Sequence, residues 1–209
     1  QVKETRNDSM AKEIEKAIAY VLFQMAEQSV KQGQYQKGAE SYLALVKRYP
    51  LIDIADKAVF EAGAAYEKDQ QFTKAAETFM ILPKQYSKSP LTIKGIVRAG
   101  DAHKKAANLK KSDQKYFEAE YREAAQTYLF ITNNFPQDSM AFMAIGSAAQ
   151  VYDTIADKKS AAVTYELAYK RYPKDERTPG YLYSACLSYD EAKMTDEAIR
   201  CSKDLVRDY

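Results

Sequence analysis

The sequence predicts an all-α fold, an α-α superhelix (solenoid) of about five helix pairs, and two observations predict it. The stretch 56–90 carries two runs of apolar residues spaced three and four apart, joined by the polar turn Asp69-Gln70-Gln71. This spacing puts each apolar set on one face of a helix. The residue choices of this stretch also recur at a period of 37. A helix pair of this size cannot bury both faces alone, so neighbouring pairs must stack.

Small residues mark the crossing points within each pair, because helices approach closely only where neither presents bulk. In the first helices they are Ala26, Gly63, Gly100, Ala149 and Cys186. In the second helices they are Gly38, Ala75, Ala124, Ala161 and Ala198. The closing aromatic residues are Tyr49, Tyr86, Phe135, Tyr172 and Tyr209. The steps are 37 residues except for one of 49, so the third pair is predicted to carry an insertion of 12 residues.

These columns resemble the tetratricopeptide repeat, whose usual period is ~34 residues. Two further features add to the likeness. The second helices share an aromatic position, held by Tyr42, Phe79, Tyr128 and Tyr165. A proline follows three of the closing aromatic residues, at Pro50, Pro136 and Pro173. The resemblance covers the chain from about Ala19 to Tyr209. It implies a single array with pairs at about 19–50, 56–87, 93–136, 142–173 and 179–209. The endings KRYP and NNFP look like the repeats of bacterial envelope proteins of the BamD and YbgF (CpoB) type.

Helix boundaries follow from capping and proline signals. A frayed polar start, residues 1–7, precedes a long first helix that is predicted to begin at a cap, Asp8 or Ser9, and to run to about Gln32. Pro83 predicts a kink or early end near Ile81-Leu82, because it lacks a backbone donor and clashes with the preceding turn.

The insertion lies within 105–120 and has no Gly or Pro, so it is predicted to lengthen both helices of the third pair. Ser112 or Asp113 would cap the returning helix. Thr178-Pro179 is a strong start for the last pair. Its second helix has Thr195 and Ser202 where aromatic residues are expected.

No residue pattern in the chain indicates catalysis, a cofactor or a metal site. His103 is the sole histidine and lies in the register of Tyr66, so we interpret it as a packing residue. Cys186 and Cys201 are interpreted as small hydrophobic residues, with a disulfide as the alternative. The acidic pairs Glu118 with Glu120 and Asp190 with Glu191 are expected on solvated helix faces. We therefore expect no enzyme.

Composition bounds the partners and the compartment. A net charge of +2 gives no field strong enough to favour nucleic acid, so none is expected as a partner. No run is apolar enough to span a membrane. Because both ends look cut from something longer, a removed targeting segment or a lipidated N-terminus that associates with a membrane stays open. The family resemblance implies a periplasmic or outer-membrane-associated protein of a Gram-negative bacterium, with the cytoplasm as the alternative.

Two surfaces are candidates for partner binding. In this family the first helices line a concave groove, and the register puts these residues there: Tyr20, Phe23, Lys57, Phe60, Lys94, Arg98, Met143 and Tyr183. Four of them, Phe23, Phe60, Met143 and Tyr183, are expected to be exposed, the alternative being that they pack between neighbouring pairs. The insertion is expected to project and to offer a second contact surface, with a merely solvated tip as the alternative: Lys110, Lys111, Lys115, Tyr116 and Phe117.

The leading functional interpretation is a non-enzymatic scaffold that binds a peptide or protein segment in its groove, in a bacterial cell-envelope assembly complex. An RNA-binding helical array is one alternative, although the groove mixes cations with carboxylates. A purely architectural arm that spaces other domains is another.

Overall fold

The computed structural model describes the backbone of residues 2–209 and the side chains from Met10 onward. These residues form helices and no strands, which confirms the all-α prediction. The helices are α1 (Val2–Lys31), α2 (Tyr35–Arg48), α3 (Ala55–Lys68), α4 (Phe72–Phe79), α5 (Ile81–Gln85), α6 (Thr92–Leu109), α7 (Gln114–Asn134), α8 (Met140–Thr154), α9 (Lys158–Arg171), α10 (Thr178–Glu191) and α11 (Thr195–Asp208). None of the helices within this part of the chain is both long and apolar enough to cross a membrane.

The chain divides within α6 into two compact units, Gln1–Ala102 and His103–Tyr209. In the first unit α1 packs on α2, α2 on α3 and α3 on α4. In the second unit α7, α8, α9, α10 and α11 follow the same rule, each packed on the next. Each unit is therefore a succession of antiparallel helices in which every helix covers its predecessor.

The turns inside four pairs each contain one residue with a left-handed backbone conformation, a feature that the sequence did not reveal. Gly33 has φ +77°, and at the equivalent turns Gln70, Ala156 and Lys193 have φ between 56° and 61°. In each turn the next N–H bonds to a carbonyl five residues back, as Gln71 N does to Tyr66 O at 3.0 Å. This Schellman arrangement satisfies the helix end and so offsets the cost of positive φ in a non-glycine residue.

Of two predicted boundaries, the structure changes one and confirms the other. The first helix begins at Val2 and continues through Asp8 and Ser9, so neither residue is its cap. The predicted break near Pro83 is present, with α4 ending at Phe79 and α5 starting at Ile81. Because proline at position 83 cannot donate to the Phe79 carbonyl, the helix is interrupted one turn before it.

The predicted crossing points are close contacts. A Cβ built on Gly63 would lie 2.6 Å from Phe79 Cε1, and one on Gly38 would lie 2.4 Å from Val30 Cγ2. Ala75, Ala76 and Phe79 are fully buried around the first of these contacts. The small residues therefore set how near the paired helices lie, as the sequence pattern predicted.

The cysteines form a disulfide, and the interpretation of them as free small hydrophobic residues is wrong. Cys186 in α10 and Cys201 in α11 are joined, with their Cα atoms 5.4 Å apart. Both are buried beside the crossing of the two helices. The close approach that small residues allow at this position also brings the two sulfur atoms within bonding range.

Candidate functional site

In the first unit, lysines of one helix lie over phenylalanines of the preceding pair. Lys57 Nζ is 5.2 Å from the ring centroid of Phe23, and Lys94 Nζ is 5.1 Å from that of Phe60. The two contacts are related by the repeat, because both residues advance by 37 positions. We call Phe23, Lys57, Phe60 and Lys94 the lysine–phenylalanine ladder. Lys57 and Phe60 are one helical turn apart on α3, so the two steps are adjacent.

Phe60 is buried, and the prediction that it is exposed is wrong. Its side chain is 7% exposed and packs on Phe79 with ring centroids 5.5 Å apart. Phe23 is half-buried and meets Tyr42 edge-on at 4.9 Å. The alternative, packing between neighbouring pairs, describes these two rings, because the lysine side chains and the next helix cover them.

Arg98 is engaged within the fold. Its guanidinium forms an ion pair with Glu67 and lies over the rings of Phe60 and Phe79, 5.1 and 4.8 Å from their centroids. The side chain therefore joins α3, α4 and α6. Lys57 and Lys94 differ, because both are exposed and, in the described part of the chain, have the ring contacts but no ion pair.

Tyr20 lies at the edge of the first unit. Its hydroxyl donates to Asp53 Oδ1 at 3.3 Å, and Lys16 pairs with the other carboxylate oxygen at 2.6 Å. The hydrogen bond from Lys16 lowers the pKa of Asp53. Tyr20 is 40% exposed, and Lys16 Nζ lies 5.8 Å from its ring centroid.

In the second unit, Met143 and Tyr183 are exposed as predicted, at 49% and 56%. Met143 lies in α8, whereas Tyr183 lies in α10 and lines a groove between α10 and α11. Tyr183 is therefore part of an apolar surface and not an isolated side chain.

The insertion lengthens α6 and α7, as predicted, into a hairpin whose base is packed and whose tip is exposed. Phe117 is buried against Tyr121, with centroids 4.5 Å apart, so its predicted exposure is wrong. Lys110 lies over Tyr116 at 4.6 Å. The cap is Asp113, whose Oδ1 accepts from Tyr116 N at 3.0 Å. Three lysines at the tip stay exposed: Lys110, Lys111 and Lys115.

His103 and Glu120 form a polar contact within this hairpin. Nδ1 of His103 lies 2.7 Å from Glu120 Oε2, and both side chains are nearly buried. His103 is a packing residue, as predicted, whereas Glu120 is not on a solvated face. Glu191, expected on such a face, is exposed and pairs with Lys158 at 2.8 Å. In the described residues no group of three His, Cys, Asp or Glu side chains could hold a metal ion.

The sequence interpretation missed a buried carboxylate in α9. Glu166 is 2% exposed and accepts from Tyr189 Oη and from Arg200 Nη1, each at 2.7 Å, and pairs with Lys170 at 3.2 Å. Burial raises the pKa of Glu166, but these hydrogen bonds outweigh burial and the pKa is lowered overall. The carboxylate thereby ties α9 to α10 and α11.

The second missed feature is an apolar groove between the last two helices, which we call the α10–α11 groove. Its volume is about 890 Å³. The residues that line it include Tyr183, Cys186, Leu187, Ile199, Leu205 and Val206. The sequence did carry a signal for it, because Ser202 replaces the aromatic residue found at this register in the earlier pairs.

Comparisons with known proteins agree with the repeat pattern. The tetratricopeptide repeat family model matches residues 20–51 and 57–89. No curated protein matches the chain. Similar solved structures include MamA 41-end from Desulfovibrio magneticus RS-1, with 12% identity, a TM-score of 0.45, and coverage of 90% of this chain and 93% of that chain. Another is BtubC (BKLC) from P. vanneervenii, with 17% identity, a TM-score of 0.44, and coverage of 99% and 86%.

A third similar structure is the TPR2AB-domain:pHSP90 complex of yeast Sti1, with 16% identity, a TM-score of 0.37, and coverage of 92% of this chain and 78% of that chain. The identities and TM-scores of all three structures are too low to carry an argument about function. The resemblance to the BamD and YbgF type is not confirmed by these matches. The family model thus matches two of the helix pairs, and the other described pairs repeat the same helix-turn-helix arrangement.

Proposed function

We propose that the chain is a non-enzymatic scaffold for protein binding, and that the lysine–phenylalanine ladder binds an acidic segment of a partner protein. Tetratricopeptide repeats commonly mediate protein–protein interaction, which supports the general role. The observation that carries the specific role is the repeated placement of an exposed lysine over a phenylalanine ring, Lys57 on Phe23 and Lys94 on Phe60.

The ladder suits carboxylates for a physical reason. A ring beneath an ammonium group restrains the long lysine side chain through a cation–π contact of roughly 0.5–1 kcal/mol at an exposed site. The ammonium keeps donors that point to solvent, because one face alone contacts the ring. Two restrained cations on adjacent helices match two carboxylates on an extended segment, and less side-chain entropy is lost on binding.

A direct test uses a fluorescein-labelled peptide that carries several glutamates and the same peptide with glutamine in their place. Fluorescence anisotropy should show binding of the acidic peptide alone. The double variant Lys57→Ala/Lys94→Ala should bind about tenfold more weakly and with a smaller dependence on salt, because the screened charge pairs are lost. The matched control is Lys84→Ala, an exposed lysine on α5 outside the ladder.

Equal affinity of the double variant and the Lys84→Ala control would exclude the ladder as the binding surface. Preferential binding of a single-stranded RNA oligonucleotide of equal charge, included in the same titration, would favour the RNA-binding alternative. An unlabelled acidic peptide should compete with the labelled one, because binding through the fluorescein group itself would not be displaced by a peptide that lacks it.

We further propose that this scaffold serves a cell-envelope assembly complex in the periplasm of a Gram-negative bacterium, where it is outer-membrane-associated. The endings KRYP and NNFP support this assignment. The disulfide between Cys186 and Cys201 supports it as well, because disulfides persist in oxidising compartments such as the periplasm. Fractionation of source cells after thiol alkylation should find the protein in the periplasmic or outer-membrane fraction with both cysteines protected. A cytosolic protein with alkylated cysteines would contradict the proposal.

A further inference from the structure

The α10–α11 groove is the uncovered counterpart of a surface that is buried in every earlier pair. One equivalent position in the second helices is fully buried in the first four pairs: Ala39, Ala76, Ala125 and Ala162. In the last pair this position is held by Ile199, which is 49% exposed. A second position behaves in the same way, with Leu45, Leu82, Ile131 and Ala168 buried. Its last member, Leu205, lies in the groove and is half-exposed.

The first helix α1 shows the opposite uncovered surface. Its residues Ile18, Val21 and Met25 are 40%, 54% and 62% exposed. The residues at their registers in α3, α6 and α8 are small and mostly fully buried: Ala55, Ala58 and Ala62, then Thr92, Gly95 and Ala99, then Ala141, Ala144 and Ala148. In α10 the large Tyr181 holds the register of Val21. We call Ile18, Val21 and Met25 the α1 stripe.

Within the fold, residues at the repeat positions of the α1 stripe contact residues at the repeat positions of the α10–α11 groove. A Cβ built on Gly95 would lie 2.4 Å from Leu82 Cδ1, and these residues hold the registers of Val21 and Leu205. The size difference can be reversed at these registers, because in the last pair the large Tyr181 packs against a cluster that includes the small Ala168. The α1 stripe and the α10–α11 groove are thus the two halves of an interface that the chain already uses internally.

We propose that a second copy of this chain occupies the α10–α11 groove, inserting its α1 stripe in a head-to-tail arrangement. Each copy then covers the groove of one neighbour and offers its own groove to another, which is a heterologous interface. The occupant is helical because α10 covers the equivalent surface of the preceding pair, packing on α9 and stacking Tyr181 on Phe142 of α8.

The volumes of the two surfaces match. Ser202 stands at the register of Tyr165, so the groove has room that a tyrosine ring fills in the preceding pair. The α1 stripe carries Ile, Val and Met where α3, α6 and α8 carry Ala, Thr or Gly. The added methylene groups of the stripe therefore fall where the groove is enlarged, and burying them removes apolar surface from water.

One pair of charged residues on the two surfaces is also complementary, with the acidic and basic positions exchanged relative to an ion pair inside the fold. Within the second unit, Glu166 of α9 accepts from Arg200 of α11 at 2.7 Å. The register of Glu166 is held by Lys203 in α11, and the register of Arg200 is held by Glu40 in α2. Head-to-tail stacking brings Lys203 of one copy to Glu40 of the next, so the same ion pair forms with its charges reversed.

Sedimentation velocity of the 209-residue chain over a range of concentrations tests this arrangement. The unaltered chain should self-associate. Val21→Asp in the stripe and Ile199→Asp in the groove should each weaken association by at least tenfold, since both are exposed in the single chain. Val163→Asp is the matched control, because Val163 is also 49% exposed but lies in neither surface.

Mixing the two single variants is the sharpest readout. The Val21→Asp copy keeps an intact groove and the Ile199→Asp copy keeps an intact stripe, so the mixture should form a discrete one-to-one dimer. Lys203→Glu should weaken association, and Lys203→Glu combined with Glu40→Lys should restore it. A monomeric unaltered chain, association that survives both Asp variants, or a mixture that stays monomeric would overturn the proposal.

Discussion

Gly63 in α3 lies so close to the ring of Phe79 in α4 that three ring carbons would come within 2.8 Å of an added Cβ. The Phe79 side chain is fully buried. The close packing of this helix pair therefore depends on the absence of a side chain at position 63.

Replacing Gly63 with Leu should destabilise the chain by about 1–3 kcal/mol or more, because overpacking forces neighbouring side chains and backbone to shift. Urea unfolding followed by circular dichroism measures the change. Gly180→Ala is the matched control, since nothing lies within 4 Å of a Cβ there. That control should be neutral or stabilising, as alanine is the better helix former. A parental unfolding midpoint for Gly63→Leu would refute the assigned contact.

The buried carboxylate of Glu166 should contribute a stability that disappears in acid. Its pKa is lowered from the ordinary value of 4.5 by partners that include Arg200 and Tyr189, against the effect of burial. A lowered folded-state pKa stabilises the fold above the unfolded-state pKa, and this part is lost as pH falls through the folded-state pKa.

Glu166→Gln should therefore cost about 1–3 kcal/mol at pH 7, because hydrogen bonds to a charged group are lost. The cost should shrink as the pH is lowered from 4.5 through the lowered folded-state pKa. Urea unfolding of both proteins at a series of pH values measures it. Glu77→Gln, at an exposed position, should show little difference at any pH. A cost for Glu166→Gln that is constant across this range would contradict the assignment.

Reduction of the disulfide between Cys186 and Cys201 should weaken the last helix pair. The two residues are 15 positions apart. A loop of this length is worth about 3 kcal/mol by the chain-entropy model. Unfolding of the oxidised protein should shift to lower urea when a reductant is added. The Cys186→Ala/Cys201→Ala variant should be insensitive to reductant, and an equal shift in that variant would assign the effect to the reductant itself.

Asp113 should hold the start of α7 in the third pair. Its side chain accepts from Tyr116 N, and replacing an N-cap by Ala costs about 0.5–2 kcal/mol. Asp113→Asn should retain most of the stability, because asparagine caps nearly as well. Thermal unfolding of the three proteins compares them. A loss with Asn as large as with Ala would show that charge, and not capping, stabilises this helix end.

The base of the same hairpin is packed. Ala106, Ala107 and Phe117 are buried, and Glu120 contacts His103. The hairpin therefore has a core of its own. The sequence indicated the lengthened helices because their residues favour helix, whereas burial depends on which faces meet after folding.

The sequence by itself determined the all-α class, the pair count and the crossing points. It could do so because stacked repeats place the same residue types at a constant interval, so Gly63 and Ala75 are recognisable without coordinates. The Asp113 cap and the interruption before Pro83 were also predictable, since both are local effects of a single residue type on the backbone.

Only the tertiary structure decided which side chains are covered. Phe60 and Met143 look alike in the sequence as apolar residues of first helices, yet one is beneath Lys94 and the other is exposed. Cys186 and Cys201 bond because the fold brings their Cα atoms to 5.4 Å, a distance that a spacing along the chain does not reveal. The environment of Glu166 likewise depends on three helices meeting. Register fixes the face on which a residue lies, but burial and pairing depend on what the neighbouring helix presents to that face.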